Sequence, residues 1–382
     1  MIKLYVIAIL LSMVSCGSNE GSDQIKNQEE NENQGENQNQ NITELRFIDD
    51  YILPDATVFE NTVVGGLSGI TYANNAWYMI SDDKIAPHFY TAAIAFTQEG
   101  FTSVNLAAVT NFKDTNGAVL TEGIADPESI RYANGNVVWT SEGNINNGLP
   151  PFVSTATLDG MFVSAATLPQ RYKPNADANL GPRHNGVFEG LTASHDGQGY
   201  WVAMELPLKE DGEAPTLEDT DSPIRIAYIN KTTNAFEKEI VYDPDPVARP
   251  ALFGTSFELN GVVELLAYAA NKFLVLERSF STGYVDGGNT VRIYNVDATN
   301  ATDVSGMDSL IGAEYTKVTK TLLFDFETVR SQLKGGIVDN LEGFTFGPDL
   351  ENGNKSLILV ADNNFSAIIP QLNQFILLEV VY

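Results

Sequence analysis

Cysteine is almost absent. Cys16 is the only one in 382 residues, so no intrachain disulfide can staple the fold and no thiol pair is available for redox chemistry. Histidine is nearly as scarce. His88, His184 and His195 have no zinc-binding spacing, and His195-Asp196-Gly197 reads as a turn between two strands. A Gly-x-x-x-x-Gly-Lys phosphate loop is missing, as is the Gly-x-Ser-x-Gly elbow of serine hydrolases. Ser68 lies in Gly-Leu-Ser-Gly and opens a strand, where the elbow needs a strand-to-helix turn. Positive charge is short: 22 Lys and Arg stand against 50 Asp and Glu, a formal charge of −28. Such a surface excludes nucleic acid as a partner, repels polyanions unless a cation bridges them, and suits divalent cations. Helical periodicity is confined to the stretch around Phe324 to Leu333, in a connection between strands.

Long apolar runs are lacking too. Lys3, the apolar stretch from Leu4 to Val14, and Ser15-Cys16-Gly17 read together as a bacterial lipoprotein signal, too short to span a bilayer as a helix, which takes about 20 residues. The expectation is a signal over residues 1–15, lipid on Cys16, a disordered Asn/Gln/Glu-rich tether over 16–43 and a folded domain over 44–382. That places the chain, as a monomer, on the bacterial envelope, at the periplasmic side of the outer membrane or the cell surface, with membrane contact through its lipid only.

What the sequence does contain is a repeat. Gly66-Leu67-Ser68-Gly69-Ile70, Asp126-Pro127-Glu128-Ser129-Ile130, Val187-Phe188-Glu189-Gly190-Leu191, Val262-Val263-Glu264-Leu265-Leu266 and Asn340-Leu341-Glu342-Gly343-Phe344 each precede a β-rich run that closes on an acid. The runs end at Asp82, Glu142, Glu205, Glu277 and Asp362, and their near-continuous apolar character fits strands covered on both faces. The central residues are 60, 61, 75 and 78 apart, which is one supersecondary unit per repeat. The fold class expected is all-β: a propeller of four-stranded antiparallel blades, five by spacing and six if one blade lacks the motif. The strand at Glu44 to Ile48 would complete the blade begun at Glu342, so the termini share a blade and hide its edges.

In such a blade the motif acid and the acid closing the next, antiparallel strand lie at the same end of the hairpin. Asp82, Glu128, Glu142, Glu189, Glu205, Glu264, Glu277, Glu342 and Asp362 should therefore ring one mouth of the channel. Carboxylates so close repel unless they are protonated, paired or bound to a hard cation such as Ca²⁺ or Mg²⁺. The competing structural reading has each glutamate accept backbone amides of the adjacent blade. Lys84, His88, Arg183, His184 and Arg278 fall in loops near the same rim, where they could hold an anionic substrate or only balance the acids. The acidic insert from Glu210 to Asp221 reads as a solvated loop.

Four segments carry a resemblance: Asn185 to Thr192, Leu274 to Phe280, Asn340 to Phe344 and Leu359 to Phe365. In this order the chain resembles, from about Gly65 onward, the phytase-like family described as having esterase-like activity. The resemblance implies a propeller and calcium-assisted hydrolysis of phosphate esters. It carries Glu128, Glu189, Glu277, Glu342 and Asp362 over as metal ligands, and Arg183 and Arg278 as basic site residues. The leading reading makes Glu189, Glu342, Arg183 and Arg278 the catalytic set, with Arg183, His184, Arg278 and Lys84 holding the substrate. The alternative is a non-catalytic propeller presenting an acidic, metal-binding face to a ligand or envelope partner, and a third is a carboxylesterase using an activated water.

Overall fold

The computed structural model describes residues 41–252, 257–366 and 371–382, all within one unit spanning Gln38–Tyr382. The expected leader, Cys16 and the tether up to residue 40 lie outside the described residues. Five four-stranded antiparallel sheets form the blades, and a small hairpin, Val58–Phe59 with Thr62–Val63, stands beside them. The blade count is therefore five.

From the inside outward, blade one runs Leu67–Ala73, Ala76–Ser81, His88–Thr97 and Gly100–Asn111. Blade two follows with Pro127–Ala133, Asn136–Ser141, Phe152–Thr157 and Phe162–Ala165. Blade three is Phe188–Ala193, Gly199–Met204, Ile224–Asn230 and Ala235–Tyr242, and blade four is Glu258–Ala269, Lys272–Ser281, Asn289–Asp297 and Thr319–Asp325. Blade five takes Leu341–Asp349, Lys355–Ala361 and Asn373–Val381 from the end of the chain and its outermost strand, Glu44–Leu53, from the beginning. That pairing runs from Glu44 opposite Val381 to Leu53 opposite Asn373, so the ring is closed by hydrogen bonds between distant segments. Closure starts a little before the expected boundary: Ile42 is buried, and the Thr43 amide donates to the Val381 carbonyl at 2.8 Å.

Local sequence explains the hairpins. Asn74-Asn75 and Asn134-Gly135 are two-residue turns whose φ values, 52° and 60° and then 48° and 83°, are the left-handed pair that matches the twist of the strands they join. The stretch after Asp325 makes three short 3₁₀ turns, Phe326–Thr328, Arg330–Gln332 and Lys334–Gly336, in place of the expected helix. Gly335 at φ 79° interrupts them.

The five innermost strands line the axis and touch in ring order. Glycine sits where they come closest. A Cβ on Gly69 would lie 2.8 Å from the Glu128 carbonyl oxygen, one on Gly190 2.9 Å from the Leu265 amide nitrogen, and one on Gly343 2.7 Å from the Gly69 Cα. The Glu-Gly pairing of the repeat thus has a steric cause: the residue after the acid faces a neighbouring backbone. Apolar side chains of each blade pack against the next, as Phe188 and Val202 of blade three do with Val262 and Leu265 of blade four.

Candidate metal centre

Every inner strand carries a register shift at the motif. It falls between Leu67 and Gly69, Pro127 and Ile130, Phe188 and Leu191, Val262 and Glu264, and Leu341 and Gly343. A bulge leaves its extra residue unpaired and re-aims the side chain. The bulged residues are Ser68, Glu128, Glu189, Val263 and Glu342, and the residues that follow, on the facing strand, the partner of the residue before each bulge are Asp82, Glu142, Glu205, Arg278 and Asp362. Blade four is therefore offset by one residue from the sequence alignment. Val263 occupies the motif-acid position and Arg278 the closing-acid position.

This offset removes Glu264 and Glu277 from the rim. Glu264 points into the channel, where its carboxylate takes Arg131 at 2.7 Å, the Ser129 hydroxyl at 2.9 Å, and the Leu191 and Leu265 amides at 2.9 and 3.0 Å. Glu277 lies on the other side of its strand. It accepts from the Tyr242 hydroxyl, the Asp245 amide, Asn260 and Lys320, so its oxygens are spent inside blade four and on the edge of blade three.

The remaining acids converge. Asp126, Glu128, Glu142, Glu189, Glu205, Glu342 and Asp362 are buried, and Asp82 joins them with an Oδ1 sealed from solvent. Carboxylate oxygens of Asp126, Glu128 and Glu142 lie within 4.8 Å of one another, as do those of Glu142, Glu189 and Glu205, so Glu142 is common to two triads. Facing them are Lys84, whose ammonium donates to Asp126 at 2.6 Å, and Arg278, which reaches Glu342 at 3.1 Å and Glu205 at 3.5 Å. Two cations do not satisfy eight acids. Asp82 Oδ1, Asp126 Oδ1 and Glu205 Oε2 are buried without a hydrogen-bond partner, and a buried acceptor left unpaired is costly. An all-carboxylate donor set with orphaned oxygens fits a hard, oxygen-seeking cation. The buried triads can hold a metal ion.

Burial, reinforced by neighbouring carboxylates, raises these groups from their ordinary values. Glu142 rises to about 8 by burial and then by Glu205, and Glu342 to about 8 by burial and then Asp362, with Arg278 opposing. Glu205 rises to about 7 and Asp362 to about 6, both through burial, while Glu128 is raised well above ordinary by burial and then by Glu189, and Glu189 by burial and then by Glu142. An acid whose folded value is raised holds its proton in the folded state after the unfolded chain has lost it. Stability conferred by that proton is thus full below pH 4 and is lost as pH climbs through 6 to 8. The metal-free protein is expected to melt at progressively lower temperature between pH 5 and pH 8, and a bound divalent cation should flatten that slope. Scanning calorimetry with chelator and with cation checks this; a metal-free melting temperature that rises across the window would contradict it. Acids held low, such as Asp297 at about 2 through its Lys272 hydrogen bond, act below this range.

Above the acids opens a cavity of about 900 Å³ whose lining includes Asp82, Glu128, Glu189, Glu205, Glu342 and Asp362. Lys84, Arg183, His184 and Arg278 line it as well, so the cavity brings together every residue of the expected metal-ligand, catalytic and substrate-holding sets except Glu277. Arg183 is fastened to the insert loop, donating to the carbonyls of Pro207 and Gly212. His88 is elsewhere: it is buried, Nδ1 contacts the Ala86 carbonyl at 2.8 Å, and its ring meets Tyr90 edge-on. Asp211 of the insert is not solvated. It is fully buried and forms a two-point pair with Arg225 at 2.6 and 2.9 Å, which ties that loop into blade three. His195-Asp196-Gly197 is the turn it was expected to be. Asp126, Glu142 and Glu205, members of the triads, were absent from the expected ligand set. Their signal was the position two residues before a motif acid, for Asp126, or directly after an apolar strand, for Glu142 and Glu205.

A family model for phytase-like proteins, described as esterase-like activity of phytase, matches residues 62–365. The chain belongs to the phytase-like family. No curated protein matches it. Among solved structures the phytase-like chain is similar to the bifunctional GH43-CE protein of Bacteroides eggerthii, at 11% identity and TM-score 0.41 over 83% of this chain and 33% of that one. It is also similar to a xylan beta-1,4-xylosidase from Bacillus halodurans, at 11% identity and TM-score 0.44 over 83% of this chain and 53% of that one. The catalytic domain of Coprinopsis cinerea GH62 alpha-L-arabinofuranosidase gives 13%, 0.43, 89% and 98% in the same order. This chain spans a third of the first protein's length and about half of the second's. At such identities and scores these likenesses carry no functional argument.

Proposed function

We propose that this phytase-like chain hydrolyses phosphate esters with calcium held by its rim acids. The observation that carries the reading is the convergence of carboxylates, three with orphaned buried oxygens, at and beside the floor of a cavity large enough for an ester substrate. Asp126, Glu128, Glu142, Glu189 and Glu205 would hold the cation, being the members of the two triads. Calcium suits them because it accepts several carboxylates in irregular geometry, where magnesium demands a near-ideal octahedron. When bound, it supplies charge neutralisation of the acids and polarisation of a phosphoryl oxygen.

The chain's own residues then account for proton movement and placement. Glu342 lies outside both triads, and its raised value lets it accept a proton near neutral pH. It takes the proton of the attacking water as the new oxygen–phosphorus bond forms and the ester phosphorus–oxygen bond breaks, and the proton then passes to the departing alkoxide. Arg278, buried between Glu205 and Glu342, orients the ester, with Lys84 at the other side of the floor. Arg183 and His184 complete the wall.

Release of phosphate from an aryl phosphate, followed in calcium and then in chelator, tests the reading. Turnover that vanishes with chelation supports it. Turnover on acyl esters alone would favour a carboxylesterase, and a melting-temperature rise in calcium without any turnover would favour a non-catalytic binding propeller.

We also propose that Cys16 carries lipid and anchors the folded unit to the bacterial envelope as a monomer. Labelled palmitate that is incorporated equally by the Cys16→Ser variant would refute this.

A further inference from the structure

The cavity has two unlike halves, and the second is built by an extension that the other blades lack. The first hairpin of blade four continues past the motif, pairing Glu258 with Ser281, Leu259 with Phe280 and Gly261 with Arg278. Corresponding pairings end at the bulge in the other four blades. The extension raises a wall of Phe257, Leu259, Phe280 and Tyr284 against the cavity. Phe257 is 55% exposed and meets Phe280 at 6.2 Å between ring centroids. Tyr284 is held from behind: its hydroxyl donates to the Pro250 carbonyl at 2.8 Å, and the Arg249 guanidinium lies 3.9 Å from the ring centre. Arg249 is itself fixed by a two-point pair with Asp286 at 2.8 and 2.9 Å. An exposed aromatic surface braced in this way is a preformed contact for a planar or apolar group.

The cationic side of the cavity argues against the opposite substrate. Lys84 is engaged by Asp126, Arg278 by Glu342 and Glu205, and Arg183 by two backbone carbonyls. Such partly neutralised cations, with a bound calcium, can meet one phosphate, whereas a ligand with many phosphates would bring further charges toward acids that the calcium leaves uncovered.

We infer that the substrate is the phosphate monoester of an aryl or comparably apolar alcohol: the single phosphate sits over the acidic floor and the alcohol lies against Phe257, Phe280 and Tyr284. A polyphosphorylated polyol is the wrong shape and charge for this cavity. The inference rests on the phosphate-ester reading and adds which half of the cavity selects the alcohol.

The test compares kcat/KM for 1-naphthyl phosphate, glycerol phosphate and inositol hexakisphosphate in calcium, for the unaltered protein and for Phe257→Ala, Tyr284→Ala and Tyr284→Phe. Burying a ring against such a wall is worth about tenfold or more, so naphthyl phosphate should lead glycerol phosphate by about that factor, with inositol hexakisphosphate last. Both alanine variants should erase the lead through KM, leaving the calcium-induced melting shift unchanged, while Tyr284→Phe keeps most of it. Preference for inositol hexakisphosphate, or a naphthyl lead untouched by both alanine variants, overturns the inference and leaves the hydrolase reading standing. If no phosphate ester is turned over, that reading fails by itself, and calorimetric binding decides the wall: tighter binding of naphthyl phosphate than glycerol phosphate supports it, and equal binding overturns it.

Discussion

Replacing Arg131 by methionine is expected to lower the melting temperature by about 5 °C, the equivalent of about 3–5 kcal/mol for a chain of this size. Arg131 stands in the channel and ties four blades together. Its guanidinium donates to the carbonyls of Ile70 and Ile130 at 2.9 and 2.7 Å and to those of Leu265 and Phe344 at 3.3 Å. It also pairs with Glu264, whose carboxylate has no exposure. Removing the arginine strands a carboxylate in a dry channel and leaves carbonyls of three neighbouring blades short of a donor. Glu264→Gln should cost less, because the amide oxygen can still accept from Leu191 and Leu265. In the double variant the losses should fall short of additive, since the second change removes a charge the first had orphaned. Thermal unfolding of the three variants checks this. A loss under about 1 kcal/mol for Arg131→Met would mean the pair is incidental to the ring.

The second large effect concerns Glu142. As the shared member of both triads, it should be indispensable to the cation and yet dispensable to the fold. Its Oε1 accepts the Val187 amide of the next blade at 2.5 Å, a bond that glutamine preserves, while the change removes an ionisable group from a crowd whose charged forms burial already penalises. Glu142→Gln is therefore expected to leave the metal-free protein as stable as the parent, or more so. The same variant should lose the stabilisation given by saturating calcium, about 2.7 kcal/mol at a hundred times the dissociation constant, and should lower turnover by about 100-fold or more. Separate curves in calcium and chelator distinguish the two effects. If Glu142→Gln melts much earlier in chelator, the residue is a structural bracket between blades two and three.

Much of the fold was legible because a propeller repeats its signals. The apolar runs from Trp77 and Val137 mark strands buried on both faces, and the closure of Glu44–Leu53 on Asn373–Val381 follows from counting residues. Blade four misled the alignment for a definite reason. Its hairpin continues beyond the motif, so Glu277 looked like a closing acid although the strand runs on to Ser281. A bulge has no sequence code of its own here: Val262-Val263-Glu264 offers two frames, and only the pairing of Val262 with Glu277 and Glu264 with Leu276 selects one. The cue available in the sequence was Arg278, a cation where the other blades have an acid. The Arg131–Glu264 pair was hidden for a different reason, since its partners are 133 residues apart and meet only when the ring closes. The aromatic wall was hidden with the hairpin that carries it.

The carboxylates of the rim are held here to be a cation site that supports hydrolysis, and a calorimetric titration of calcium into chelator-stripped protein at pH 7.5 decides this. Glu142, raised to about 8 by burial and then by Glu205, must shed its proton when a cation enters. Saturable binding should therefore be accompanied by proton release, seen as a heat that depends on the buffer's ionisation enthalpy, and both should disappear in Glu142→Gln. Absence of binding, or binding that is unchanged in Glu142→Gln, would place any cation elsewhere and leave the buried acids as a protonated structural ring.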